Sequence, residues 1–175
     1  MPEICRKCAS ERKSCCYHSR IAVTIPELER LLAKGYTADS LLVARKYQNE
    51  GSWDKNWDEN MAIRVGRQKY ELCIRHKNEG GCMFLGNEGC TIKPDSFLCC
   101  KVFPFWSTEN KMEYDKDKDN ECPLTKLPVK KTLKLLGETE KNIQRYMSEM
   151  KKDAEANKEK RKLIIKELVD KGLVV

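Results

Sequence analysis

The sequence predicts an α+β fold: a small metal-stapled cysteine-cluster domain with short hairpins and helices, followed by C-terminal helices. Three observations carry that expectation. Ten cysteines stand in 175 residues, in one set at Cys5, Cys8, Cys15 and Cys16, a second at Cys82, Cys90, Cys99 and Cys100, with Cys73 and Cys122 apart. Hairpin patterns occupy the middle of the chain, and helical patterns lie before and after them. Only 40% of residues are hydrophobic and 35% are charged, so the apolar core is modest, and small cores commonly take a covalent or metal staple. The composition assigns residues 1–125 to the cysteine-cluster domain and residues 126–175 to a basic helical extension.

Taken in order, residues 1–20 are polar and aperiodic and predict a loop shaped by what it binds. In Thr24-Ile-Pro-Glu27 the threonine and glutamate form a capping box, Pro26 suits a first turn and Gly35 a C-terminal cap. Leu28, Leu31 and Leu32 then share one helical face. A second helix is expected from Ala38 to Glu50, stopping at Gly51. Trp53, Trp57 and Met61 are spaced for one helical face and predict a hydrophobic lid. Ala62–Val65 and Lys69–Ile74 flank Gly66-Arg67-Gln68 as a β-hairpin with Cys73 on its second strand. Asn78–Gly81 and Gly86–Gly89 predict turns, each followed at once by a cysteine (Cys82, Cys90), where glycine lets the backbone bend and aim N–H groups at sulfur. Val102–Ser107 and Lys111–Asp115 predict a further hairpin, with Phe103-Pro104-Phe105 packing beside the metal, and Asp115–Asp119 a solvated loop. Helix formers dominate from Pro128, with a break near Gly137. Ile143, Tyr146, Met147, Met150 and Ala154 form one apolar stripe, and Leu163, Ile164, Ile165, Leu168 and Val169 a later one. Such a tail is expected to fold back through its first part and project through its last.

Composition and charge bound the function. No apolar run approaches the ~18 residues of a membrane span, and the N-terminus lacks the apolar stretch of a secretory leader. A reducing cytoplasm is therefore expected, where ten cysteines read as metal ligands or redox thiols rather than disulfides. The net charge of +7 is concentrated in residues 126–175, with 14 Lys/Arg against 8 Asp/Glu, leaving about +1 elsewhere. Each four-thiolate site holding Zn²⁺ or an oxidised four-iron cluster carries about −2. Two such sites bring the holo-protein to about +3, so the basic composition is weak support for nucleic-acid binding.

Cys5-x2-Cys8 has the spacing of a metal knuckle. In an extended dipeptide, neighbouring side chains point to opposite faces. Each doublet, Cys15-Cys16 and Cys99-Cys100, is therefore read as free to split between a metal and the core or a second site. Cys73 and Cys99 are the first candidates for inert buried thiols. His18 and His76 are read as surface or core residues, with His18 the better ligand candidate. All-cysteine ligation suits structural zinc and four-iron clusters alike, and the number of sites stays open.

The ordered series Cys5-x2-Cys8-x6-Cys15-Cys16, Ile21-Ala-Val-Thr24, Cys82-Met-Phe-Leu85, Gly89-Cys90-Thr-Ile92, Cys100-Lys-Val-Phe-Pro-Phe105 and Cys122-Pro123 resembles the YkgJ-type cysteine-cluster family. That family is described as a zinc- or iron-chelating CxxCxxCC domain. The likeness covers residues 5 to 123. By position it implies Cys5, Cys8, Cys15, Cys16, Cys82, Cys90, Cys100 and Cys122 as ligands. The chain departs from the pattern in its longer gap before the first doublet, in Ser96-Phe97 where the family has Arg-Pro, and in the additional Cys73 and Cys99. The resemblance also implies an iron–sulfur cluster, of the 4Fe-4S type, or zinc. Members are labelled iron–sulfur oxidoreductases, and the cluster recurs in flagellin lysine N-methylases, of which this chain is long enough for the cluster region alone.

Three function classes follow. The first is a metal-binding, redox- or oxygen-responsive accessory protein whose C-terminal basic helices dock on a larger protein complex. The second is an electron-transfer oxidoreductase or a methyl-transfer component. It is disfavoured by the lack of Gly-x-Gly-x-x-Gly, of a phosphate-binding Gly-x4-Gly-Lys-Ser/Thr, of His-Glu-x-x-His and of Cys-x3-Cys-x2-Cys. The third is a zinc-knuckle nucleic-acid binder stacking bases on Trp53, Trp57 and Trp106, disfavoured because its basic residues are interleaved with acids. A catalytic residue is not assigned.

Overall fold

The computed structural model describes residues 3–12, 15–47, 61–108, 111–114 and 122–175. It has a mixed α+β architecture of small antiparallel sheets and several helices. Two compact units are each assembled from two stretches: Met1–Ser19 with His76–Met147, and Arg20–Arg75 with Ser148–Val175.

The second unit is built on a three-stranded antiparallel sheet ordered β1-β3-β2, with β1 Leu42–Lys46, β2 Ala62–Val65 and β3 Gln68–Ile74. The expected hairpin is present: Val65 pairs with Gln68 across Gly66-Arg67, and Gly66 takes φ +60°. The capping box is also present. Glu27 N–H donates to Thr24 Oγ1 at 3.3 Å, Thr24 N–H donates to Glu27 Oε2 at 2.9 Å, and the helix they open spans Ile25–Ala33. With α1 and α2 assigned below to Glu3–Ser10 and Cys15–His18, this helix is α3.

Two expectations are overturned here. The helix expected over 38–50 is a single turn, α4 (Ala38–Leu41), that runs directly into β1. Leu42, Val43 and Ala44 are buried and pair with Ile74, Cys73 and Leu72. Sheet pairing with a distant segment outweighs the helix propensity of Leu-Leu-Val-Ala-Arg-Lys. Trp53, Trp57 and the end of that expected helix lie outside the described residues. Nor does the C-terminal end project. Ala44 N–H donates to Leu173 O at 2.9 Å, Lys46 N–H to Val175 O at 2.8 Å and Val175 N–H to Ala44 O at 3.1 Å, so the last residues pair in parallel with β1.

Burial in this unit includes an ion pair inside a stretch that reads as polar. Arg161 is fully buried and its Nη2 donates to Asp153 Oδ2. The same carboxylate accepts from Asn157 Nδ2 at 2.8 Å and from the Ile25 N–H at 3.2 Å. Asp153 thus satisfies the first turn of α3, where free N–H groups favour an anion.

In the first unit the expected loop at the N-terminus is instead two short helices, α1 (Glu3–Ser10) and α2 (Cys15–His18). Glu3 in the first turn and Lys7 in the last of α1 complement the helix dipole, a signal that the cysteine spacing obscures. A two-residue hairpin follows, β4 (Leu85–Gly86) with β5 (Gly89–Cys90), then α5 (Leu98–Val102). The hairpin expected from residue 102 starts later, as β6 (Phe105–Thr108) with β7 (Lys111–Tyr114), because α5 takes Val102. The loop expected at 115–119 lies outside the described residues. A 3-10 turn (Pro123–Lys126) leads to α6 (Val129–Leu136), which ends at Gly137 in the left-handed region, at φ +72°. Val102, Phe105, Leu133, Ile143 and Met147 form one apolar cluster. Tyr114 Oη reaches into it to donate to Leu124 O, and lies 2.9 Å from Thr132 Oγ1. Two further helices complete the chain, α7 (Glu140–Ala156) and α8 (Lys158–Asp170). Of the stripe expected on α7, Ile143, Met147, Met150 and Ala154 are buried. Among the described residues no helix is long and apolar enough to cross a membrane.

Candidate metal centre

All eight ligand candidates belong to the first unit. Cys5 and Cys8 sit three residues apart on α1, so a helix rather than a knuckle turn places them on one face. Cys8 is buried and Cys5 half-buried. Cys15 and Cys16 open the single turn of α2, which Ser19 N–H closes on Cys15 O at 2.8 Å.

Cys16 is tied to the central stretch through the backbone: Cys82 N–H donates to Cys16 O at 2.6 Å. The approach depends on glycine. Gly80 and Gly81 take φ +87° and +81°, and a β-carbon at Gly81 would stand 3.0 Å from the Tyr17 ring. Cys82 Sγ accepts from Phe84 N–H at 3.4 Å, and the Cys90 sulfur accepts from Ile92 N–H. Such N–H···S contacts are what the Gly-Cys turns led us to expect. Cys90 lies on β5 opposite Leu85. Phe97, fully buried and 5.8 Å from the Phe84 ring, anchors the start of α5. Cys99 and Cys100 follow on that helix with their sulfurs 3.9 Å apart. Cys122, buried, precedes the 3-10 turn.

The doublets are therefore helical, not extended, and the argument that their members face opposite ways does not apply. In both, the sulfurs are hydrogen-bond neighbours.

The electrostatics map which sulfurs lie near one another. Burial pushes the Cys5 thiol up to about 11, and charge on Cys122, Cys8 and Cys16 adds to it, against Lys93. Burial pushes Cys82 up to about 12, opposed by the Phe84 N–H and reinforced by Cys100, Cys16 and Cys90. Burial also raises Cys90, opposed by the Ile92 N–H and reinforced by charge on Cys16. Cys15 is raised first by its contact with Cys16, and Cys100 first by its contact with Cys99. Cys16 is a charge neighbour of five thiols: Cys5, Cys15, Cys82, Cys90 and Cys100. Its carbonyl, through the Cys82 N–H, and these charge contacts link the N-terminal and central sets.

At neutral pH the five raised thiols, Cys5, Cys15, Cys82, Cys90 and Cys100, are neutral, because a thiolate there would repel its neighbours and lose solvation. A thiophilic cation inverts that preference and deprotonates its ligands. The donor set, all sulfur with backbone N–H groups on Cys82 and Cys90, fits zinc or an iron–sulfur cluster. Among the described residues, no three His, Cys, Asp or Glu side chains are placed to hold one ion as they stand.

Cys73 belongs to the other unit. It lies on β3, is 2% exposed, and burial pushes its thiol up to about 12, with Glu71 adding to the shift. His76 forms an isolated backbone bridge with Cys82 and is half-buried. Two residues beside the centre, Tyr17 and Lys93, carry no sequence signal, since an isolated tyrosine or lysine has no spacing to read. The chain matches no protein-family model, no curated protein and no solved structure.

Proposed function

We propose that the chain is a metal-binding cysteine-cluster protein of the YkgJ type, holding zinc or an iron–sulfur cluster between α1, α2 and the segment 82–122. The observation that carries this reading is the gathering of the eight candidate thiols in one unit, five of them with Cys16 as a charge neighbour. Bound metal would join two sequence-distant stretches, as staples in small cores do. Its loss or oxidation would loosen α1 and α2, which makes the protein a redox- or oxygen-responsive accessory factor. Its docking arm on a larger complex is the basic C-terminal region, where α6 exposes Lys130, Lys131, Lys134 and Leu135.

Anaerobic purification followed by metal and sulfide analysis tests the metal reading. Stoichiometric iron with acid-labile sulfide and a broad absorption near ~400 nm identifies a cluster. Stoichiometric zinc in a colourless protein identifies a zinc site. Substoichiometric metal of every kind refutes both. The switch is tested separately, because identical partners in aerobic and anaerobic pull-downs would refute it.

A further inference from the structure

We propose that Cys99, which the family pattern lacks, is itself a ligand, and that Cys99 and Cys100 donate both sulfurs to one mononuclear thiophilic cation such as Zn²⁺. This rests on the metal-binding reading above and makes it more specific. The two sulfurs stand 3.9 Å apart. With Zn–S bonds of ~2.3 Å, two ligands of a tetrahedral ion are separated by about 3.8 Å. The pair therefore has the span of one edge of a tetrahedral ZnS4 site. Neighbouring residues reach it because α5 turns the doublet, whereas an extended dipeptide would send one sulfur to each face.

The spacing also discriminates between metals. A four-iron cluster takes one cysteine on each iron, so two adjacent sulfurs set for a single ion fit a mononuclear site better. Among the described residues no third donor stands placed with this pair, so the ion's remaining ligands are thiols of the same unit that close on it as it binds. Cys99 is half-buried, and the Cys100 thiol is raised by its contact with Cys99 and then by burial, so the pair lies in a partly desolvated setting where a cation's charge is weakly screened. As each sulfur binds, its thiol proton passes to solvent: one M²⁺ and two thiols give the bis-thiolate complex and two protons, with no change of oxidation state.

The test uses the full chain, reduced and anaerobic, with Zn²⁺ affinity read by competition against a chromophoric chelator. Loss of an outer partner of a ligand already costs 10–100-fold in metal affinity, so loss of a ligand is expected to cost at least ~tenfold. Cys99→Ser and Cys100→Ser should each weaken binding by that factor, and Cys73→Ala should leave it unchanged. In the unsubstituted chain, Zn²⁺ should protect Cys99 from iodoacetamide, a readout that does not depend on how a variant folds. Zn²⁺ binding by Cys99→Ser at wild-type affinity, or alkylation of Cys99 at the same rate with and without metal, would overturn the proposal and leave the metal-binding reading standing. Failure of the unsubstituted chain to bind Zn²⁺ or iron would overturn both.

Discussion

Replacing Asp153 by alanine should be among the most destabilising single changes in the unit formed by Arg20–Arg75 and Ser148–Val175. The carboxylate faces a guanidinium whose side chain is 0% exposed, and is itself 6% exposed. It also accepts from Asn157 Nδ2 and from the Ile25 N–H. Removing it leaves Arg161 as a buried charge whose Nε and Nη1 lack a partner among the described residues, and it strands the Ile25 N–H in the first turn of α3. Breaking a buried pair in this way costs about 3–5 kcal/mol. Whole-domain stabilities are about 5–15 kcal/mol, so the loss is a large fraction of the total. At about 2–4 °C per kcal/mol for a chain of this size, Tm should fall by roughly 6–20 °C. Urea unfolding by circular dichroism measures it, with Asp153→Leu/Arg161→Met as the companion. Replacing both charges by apolar groups should recover most of the loss, because no ion is then stranded. A deficit below about 1 kcal/mol in Asp153→Ala would refute the reasoning, since it would mean that the guanidinium finds water or another acceptor.

Three further outcomes follow from the geometry. Gly81→Ala should cost at least ~1–2 kcal/mol for its left-handed backbone alone, plus the contact with the Tyr17 ring. Gly35→Ala, at φ +91° with open space around it, isolates the backbone part, and equal losses in the two variants would disprove the ring clash. In the metal-free chain, Cys5, Cys82 and Cys73 are raised from the ordinary value of 9.0 to about 11, 12 and 12. Below pH 9 folded and unfolded chains both keep these protons and the contribution to stability is fully present. Above it the unfolded chain ionises first, so stability should fall between pH 9 and 12. A urea midpoint that rises over that window would contradict this. Cys73→Ala should leave metal content unchanged and destabilise mildly, by about 1 kcal/mol, whereas a loss of metal would place Cys73 in the centre.

What could be read from the sequence was what local chemistry determines. Thr24 and Glu27 specify a cap that needs no distant partner, Gly66-Arg67 sits between two strand patterns, and Gly137 ends α6 at a positive φ. The Gly-Cys turns likewise showed where sulfur meets backbone N–H. What could not be read depends on contacts far along the chain. Leu42–Lys46 looks helical until Leu72–Ile74 pairs with it. Asp153 and Arg161 look solvated until α3 presents its N-terminus to the carboxylate. Two adjacent cysteines carry no sign of helix or strand, and only the helices around them bring the adjacent sulfurs into contact. The ligand set itself was named through a family likeness, and spacing alone did not select Cys16 as the link between the two cysteine sets.

X-ray absorption at the metal edge of the anaerobically purified chain tests the central claim most directly. The account predicts a first shell of sulfur alone, at about 2.3 Å. Metal bound through nitrogen or oxygen, or no metal at all, would contradict it.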